Sequence, residues 1–369
     1  MSNPTLTALE SIGHARVELV PYFTDEPKYP SVFCTPKPDA PYLRRQVYGL
    51  SVHPDMEIAR LMSLAEFYER ACLNGIDRRG EPEPYRPGSD QLDPARFDYR
   101  PEPGDPKEIR AAKLRWIEAT SWPDGETVRL PLQNVIPYVA EEEEIALAPN
   151  LSPGGAALGG LGDGGAFRRG LYEMVERHAS RRSTADRSRA ARIQGWPEVS
   201  LPMVEYLERY RLHARAVDLG DYYGVPSVMI ALLDRSGVAS SITVSHRTAS
   251  NYGDALSVGL LESIERRRPA RLEQEIKFAE HLGPDKSAGK RLFMWTDLEE
   301  LEQFEPWFES LPVRRLDDLA EIVTTPEETG RRLIEQGCPI YVVNLSLPEV
   351  EAAGFEGIRV IIPELGRLY

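Results

Sequence analysis

The chain has 369 residues, 58 acidic against 44 basic, and a net charge of −14. That length allows a large core and about two domains or one intertwined domain, and the charge argues against nucleic acid or anionic membrane as partner, because both need clustered Lys and Arg. Three scattered cysteines, Cys34, Cys72 and Cys338, form no zinc or disulfide pattern and read as buried thiols. Met1 to Val20 has no signal-peptide design and no run is long enough to span a membrane, so a cytoplasmic location is expected.

Residues 57–73 alternate an apolar face (Ile58, Leu61, Ala65, Tyr68, Cys72) with Met62, Glu66, Glu69 and Arg70, which predicts a helix with one buried side. Residues 77–107 are crowded with Pro, Gly and charge and lack periodicity, so a long loop or mobile lid is expected there. Glu126 to Tyr138 reads as strand and turn, and the acidic run Glu141 to Glu144 as solvated. The glycine-rich segment Ser152 to Gly165 reads as a loop feeding a helix. Its Gly160-Leu-Gly-Asp-Gly-Gly165 fits the dinucleotide spacing only formally, with no apolar strand before it. A second helix is predicted over 166–182, with Leu171, Tyr172, Val175 and Ala179 inside and Arg169, Glu173, Glu176 and Arg177 outside. Strands follow between Ala214 and Ser245, with Val225 to Leu233 buried and Asp234 to Gly237 as a hairpin turn. A third helix from Tyr252 to Arg268 sets Glu262 and Glu265 opposite Leu260, Leu261 and Ile264. From Arg291 on, acidic helices alternate with strands Pro339 to Leu345 and Ile358 to Ile362, an α/β pattern.

The three helices share one pattern: a small residue (Ser63, Gly170, Gly259), two others, then Glu-x-x-Glu-Arg. On a helix the two acids stand one turn apart on one face with an arginine beside them, so three such helices can converge on metal and phosphate. The same residues also describe solvated amphipathic faces, and a fourth copy, Glu205 to Arg209, has Pro202 at the small position. On pattern alone both readings stand. His178 has no nucleophile beside it in the pattern and reads as packed or solvated rather than as a general base.

In this order, from about Tyr48 onward, the motifs resemble the YcaO family of ATP-dependent peptide-modifying enzymes. Ala59 to Arg70 matches the family's first helix; Ser152-Pro-Gly and Gly160 echo its serine-glycine loop before Glu173 to Arg177; Glu262-Ser-Ile-Glu-Arg-Arg267 matches its third helix. Tyr341-Val-Val-Asn344 and Ile358-Arg-Val-Ile-Ile-Pro363 match its closing strands. The resemblance implies a mixed α/β (α+β) YcaO-like fold, with residues 1–45 as an N-terminal segment and 46–369 as one large intertwined catalytic domain that includes the α/β part 291–369. It implies ATP and Mg2+ as cofactors, with Glu66, Glu69, Glu173, Glu176 and Glu262 on metal or nucleotide. Arg70, Arg177 and Arg267 would hold phosphate, and Ser152 and Arg169 would lie in the nucleotide site. No covalent catalytic residue is implied.

The implied reaction activates a backbone amide of a ribosomally made precursor peptide by O-phosphorylation, azoline-forming cyclodehydration of Cys, Ser or Thr first. Thioamide or amidine formation is the alternative, and a catalytically degenerate peptide-binding scaffold a third reading. The chain departs from the family pattern at Tyr48 (often Lys), Pro153 (Asn), Glu265 (Gln) and Asn344 (Asp). It stops at Tyr369 without the proline-rich tail common in azoline-forming members, and residues 1–45 are short and proline-rich for a leader-recognition domain. A partner protein is therefore expected to deliver the peptide, in a homo-oligomer or hetero-complex.

Overall fold

The computed structural model describes residues 3–22, 26–41, 47–75, 82–97, 108–136, 154–185, 187–236, 242–276, 298–319 and 323–366. Asn3 caps helix α1 (Pro4–Ser11) by accepting from the Thr5 and Leu6 N–H groups. Strands β1 (Ala15–Leu19) and β2 (Ser31–Pro36) then pair antiparallel with β3 (Gly49–Val52). The first 45 residues thus supply two of the three strands of this sheet and are not a separate appendage. Helix α2 (Met56–Gly75) follows and buries Leu64, Phe67, Tyr68, Ala71 and Cys72. The buried face is turned from the one read from the sequence: of Ile58, Leu61, Ala65, Tyr68 and Cys72 only Tyr68 and Cys72 are buried and Ile58 is exposed, because Leu64, Phe67 and Ala71 take the core side.

A short pair, β4 (Glu83–Pro84) with β5 (Lys113–Leu114), leads to β6 (Trp116–Trp122), β7 (Thr127–Pro131) and the single turn α3 (Leu132–Val135). The described part of the expected lid is strapped down: Arg129 pairs with Asp90 at 2.8 Å and with Glu83, Arg96 pairs with Glu364, and Phe97 is buried. The acidic run Glu141 to Glu144 lies outside the described residues.

The glycine-rich segment differs from its reading as a loop, because Gly154–Gly160 is a strand, β8, followed by helix α4 (Gly165–Ala185). The glycines serve close packing. A Cβ on Gly155 would lie 2.1 Å from the Gly170 carbonyl oxygen, and one on Gly159 would lie 2.4 Å from the Ala166 nitrogen. Only a strand bare at these two positions lets α4 lie this near. Only the turn between them, with Gly162 and Gly164 at φ +73° and +70°, needs glycine for its backbone angles.

Next come β9 (Ala191–Gln194), α5 (Leu201–Glu208), β10 (Leu212–Tyr222), β11 (Val225–Asp234), β12 (Ile242–Thr248) and α6 (Tyr252–Ile276). Every residue of β11 is buried, as the apolar run Val228 to Leu233 foretold, and Ser227 and Asp234 are buried with it. The third helix runs past its expected end, through Pro269. The rest is α7 (Leu298–Ser310), β13 (Val313–Arg315), α8 (Leu316–Leu319), α9 (Pro326–Glu335), β14 (Ile340–Asn344), α10 (Pro348–Ala352), β15 (Phe355–Ile361) and α11 (Pro363–Gly366).

Two five-stranded sheets result, in the orders β7-β6-β14-β15-β8 and β12-β11-β10-β9-β13. The C-terminal strands β14 and β15 insert between β6 and β8, and β13 runs parallel to β9. The C-terminal part is therefore woven into the sheets that the middle of the chain begins. Helix α4 buries Leu171, Met174, Val175 and Ala179 in a core with residues from both five-stranded sheets, among them Val217, Met229, Ile340 and Val360.

Candidate nucleotide and metal site

The small residue of each motif sets its helix against a strand, in three versions of one contact. A Cβ on Gly49 of β3 would lie 1.9 Å from the Ser63 carbonyl oxygen of α2, and the Ser63 hydroxyl donates to the Gly49 carbonyl at 3.0 Å. Gly170 of α4 faces Gly155 of β8 as described. Gly259 of α6 faces Ile230, where a Cβ would come within 2.9 Å of Cγ1, and its carbonyl accepts from the Ser245 hydroxyl of β12 at 2.7 Å. The acids one turn later are therefore carried on helices docked close to their strands, backbone to backbone at Gly49 and Gly155 and against the Ile230 side chain at Gly259.

The glutamates of the three helices lie within electrostatic reach of one another. Burial, followed by the neighbouring Glu173 and Glu66, pushes the Glu69 carboxyl up to about 8. Glu176 is likewise pushed up to about 8 by burial, with Glu262 and Glu173 adding to it against Arg247. Burial and the proximity of Glu66 and Glu262 hold Glu265 well above the carboxylate range. Glu66 is raised chiefly by burial, against Arg70 and a 2.6 Å hydrogen bond to its Oε2 from the Leu50 N–H. Like charges in a poorly solvated space disfavour ionisation, which is what an acid cluster without an added cation shows.

The motif arginines answer part of this charge. Arg70, Arg177 and Arg266 each donate from Nη2 to Oε1 of the glutamate four residues earlier, Glu66, Glu173 and Glu262. Arg177 also donates to the Gly154 carbonyl at 2.8 Å and Arg266 to the Val244 carbonyl at 3.1 Å. Arg70 instead lies 4.0 Å over the ring of Tyr48, the residue that stands where the family pattern has lysine.

Of the residues singled out from the sequence, Glu66, Glu69, Arg70, Glu173, Glu176, Arg177 and Glu262 come together. Arg169 sits at the rim, donating to the Leu158 carbonyl, with Glu69 and Arg247 within electrostatic reach. Ser152 lies outside the described residues. Arg267 is placed elsewhere: it is 4% exposed and bonded to Asp234, with Glu26 at 3.6 Å, so the guanidinium at the acids on this helix is that of Arg266. Helix phase explains the correction, since Arg266 stands one turn from Glu262 and Arg267 is turned about 100° away. His178 is buried, held down to about 4 chiefly by desolvation, and packed edge-on against Tyr222, as a core histidine. The fourth motif copy leaves Glu205, Glu208 and Arg209 exposed on α5.

Two further arginines were not readable as site residues. Arg247 of β12 approaches Glu176 at 3.8 Å, with Glu262, Glu173 and Glu69 also in electrostatic reach. Arg359 of β15 shares the Gly154 carbonyl with Arg177, and burial, then Arg177, lowers its pKa to about 10. Alternation along a strand marks only which face a residue takes, so nothing in the sequence distinguished them.

The residues fit Mg2+ and a nucleotide. Glu262 Oε2 is buried without a hydrogen-bond partner, the second carboxyls of all three motifs are crowded, and oxygen donors with flanking arginines are what Mg2+ and phosphate take. Among the described residues no three acids are yet drawn close enough to hold a metal ion.

The family model described as YcaO cyclodehydratase, ATP- and Mg2+-binding, matches residues 58–366. The chain belongs to the YcaO family. ATP and Mg2+ are the cofactors of that family. Among solved structures the chain is similar to YcaO from Methanopyrus kandleri bound with AMPPCP and Mg2+, at 21% identity over 98% of this chain and 90% of that one, TM-score 0.66. It is also similar to a heterocyclase in complex with substrate and cofactor, at 15% identity over 97% of this chain, TM-score 0.70. This chain spans 52% of that heterocyclase's length. A third likeness is to the E. coli microcin synthetase McbBCD complex with pro-MccB17 bound, at 14% identity over 94% of this chain and 87% of that one, TM-score 0.58. No curated protein matches the chain. Among the described residues no helix is long and apolar enough to cross a membrane.

Proposed function

We propose that this YcaO protein uses ATP and Mg2+ to activate backbone amides in a ribosomally made peptide, forming azolines from Cys, Ser or Thr. The observation that carries the reading is the meeting of three Glu-x-x-Glu-Arg helices inside the region matched by the family model. Glu66, Glu69, Glu173, Glu176 and Glu262 are the residues to hold Mg2+, and Arg70, Arg177, Arg247 and Arg266 to hold phosphate. Bound Mg2+ neutralises charge on the transferring phosphoryl group. The substrate's own thiol or hydroxyl attacks the preceding amide carbon, and the amide oxygen takes the γ-phosphoryl group of ATP. The attack closes the ring; phosphate then leaves with that oxygen as the amide nitrogen gives up its proton, forming the C=N bond, so that ATP becomes ADP and phosphate and the peptide loses one water overall. No enzyme nucleophile is required, which agrees with the packed setting of His178 and the buried thiols Cys34, Cys72 and Cys338.

A peptide partner protein and a complex are part of the proposal, supported by the assembled state of the microcin synthetase that the fold resembles. The test is incubation with ATP, Mg2+ and a panel of peptides containing Cys, Ser and Thr, with and without sulfide, read by mass. Loss of one water that disappears when the reacting Cys, Ser or Thr is replaced by Ala supports azoline formation. Exchange of oxygen for sulfur marks thioamidation, and water loss that survives the replacement marks an amidine. No mass change, with no Mg2+-dependent ATP binding, would sink the enzyme reading in favour of a scaffold.

A further inference from the structure

The pairing of the site's charges follows a rule that the motif itself builds in. In each helix the first glutamate (Glu66, Glu173, Glu262) has an arginine four residues on, and that arginine donates to its carboxylate in all three. The second glutamate (Glu69, Glu176, Glu265) has Leu73, Ser180 and Pro269 at that spacing, so no such counter-ion is supplied. Three of the six acids are thus held by an arginine of their own helix, Glu176 has Arg247 of β12 at 3.8 Å, and among the described residues no three acids stand close enough to hold a metal ion.

The three pairs are of a kind that exchanges readily. Their side chains are 23–29% exposed on the glutamates and 29–38% on the arginines, unlike the closed pair made by Arg267. A guanidinium has five N–H donors in a planar fork that matches a phosphate as well as a carboxylate, and phosphate carries more charge. A carboxylate that loses its arginine is acceptor-only and needs a cation.

We infer that Arg70, Arg177 and Arg266 are exchangeable counter-ions: nucleotide phosphates draw them off Glu66, Glu173 and Glu262, releasing these carboxylates to Mg2+. The inference rests on the acid cluster being the nucleotide site. It makes the arginines gatekeepers of loading. Metal alone meets occupied ligands, nucleotide alone meets uncompensated acids, and the two together satisfy both sets. By linkage, each raises the affinity of the other by the same factor.

The test measures binding to the full chain without turnover. Mn2+ binding alone is followed by loss of the free-ion paramagnetic signal, and binding of a non-hydrolysable ATP analogue with Mg2+ by calorimetry. Single variants Arg70→Gln, Arg177→Gln and Arg266→Gln are expected to bind Mn2+ alone about 3- to 10-fold tighter than the parent. They should bind the Mg2+–analogue at least about 10-fold more weakly. Arg→Lys at the same positions keeps the charge and should return both values toward the parent. A residue with a merely structural role would weaken both arms or neither. Chelation of metal by nucleotide in solution does not mimic the Mn2+-alone arm. Unchanged or weaker Mn2+ binding in all three Gln variants, with Mg2+–analogue binding intact in the parent, overturns the exchange and leaves the nucleotide site standing. No Mg2+-dependent analogue binding in the parent overturns both.

Discussion

Arg266 and Arg267 are neighbours on α6, yet the ion pairs they make belong to different physical regimes. The Arg266 side chain is 36% exposed and pairs with a glutamate on its own helix. Arg267 is 5% exposed and bonds to Asp234, 1% exposed, at the end of β11, with Glu26 of the N-terminal segment beside it. The first kind of pair is weak and replaceable, because water competes with both partners. The second locks three distant parts of the chain, because removing one partner strands the others without water or counter-charge. One helix therefore carries a lock on one side and a loose, reactive charge set on the other, separated by a single residue.

That contrast breaks most visibly at the lock. Arg267→Ala is expected to cost about 3–5 kcal/mol of folding stability, since the buried Asp234 carboxylate would lose the guanidinium that balances its charge. A urea titration checks it, and a loss below about 1 kcal/mol would show that the pair is solvated in practice.

Titration separates the two sides next. Glu69 and Glu176 are held at about 8 in the folded chain against 4.5 as free side chains. A carboxyl raised by folding binds more protons folded than unfolded, so its stabilising contribution is full below pH 4.5 and is lost as pH rises through 8. The urea midpoint of the ligand-free protein should therefore fall between about pH 5 and 9, and Mg2+ with an ATP analogue should flatten the fall. A midpoint that stays level without ligand would mean that these acids are already compensated. The smallest effect is expected from Arg266→Gln, which should change folding stability by no more than about 0.5 kcal/mol. A loss near that of Arg267→Ala would show that the two pairs are alike after all.

The three acid helices were legible as helices, and apolar spacing fixed the buried face of α4 with Leu171, Tyr172, Val175 and Ala179, whereas on α2, apolar on more than one side, the core side falls on Leu64, Phe67 and Ala71 rather than on Ile58, Leu61 and Ala65. Their meeting was not in the periodicity. It came from the order of motifs that matches one family, which also carried the fold class. The same phase argument, applied to Glu262, points to Arg266, because Arg70 and Arg177 also stand four residues after their acids; matching the family's arginine position instead led to Arg267. Arg247 and Arg359 enter from strands, where nothing local marks a residue that will face helices remote in sequence. The glycine-rich segment was misread as a loop because glycine lowers strand propensity, while its use here, as a bare surface for α4, depends on a helix that had not yet been placed. Residues 1–45 read from the sequence as an N-terminal segment, and the pairing of β1 and β2 with β3, set by residues that follow it, was not in its composition.

At Gly49, Gly155 and Gly259 the three helices rest on strands with no room for a methyl group. At the first two the neighbour is helix backbone, so the spacing of α2 and α4 is gauged by the thickness of the backbone itself, which neither rotamer changes nor core repacking can adjust, whereas at Gly259 the neighbour is the Ile230 side chain. A site gauged in this way keeps its calibration while the surrounding core drifts in sequence. It also fails abruptly rather than gradually, since the smallest possible side chain at Gly49 or Gly155 meets helix backbone and shifts an entire helix, and both of its glutamates, at once.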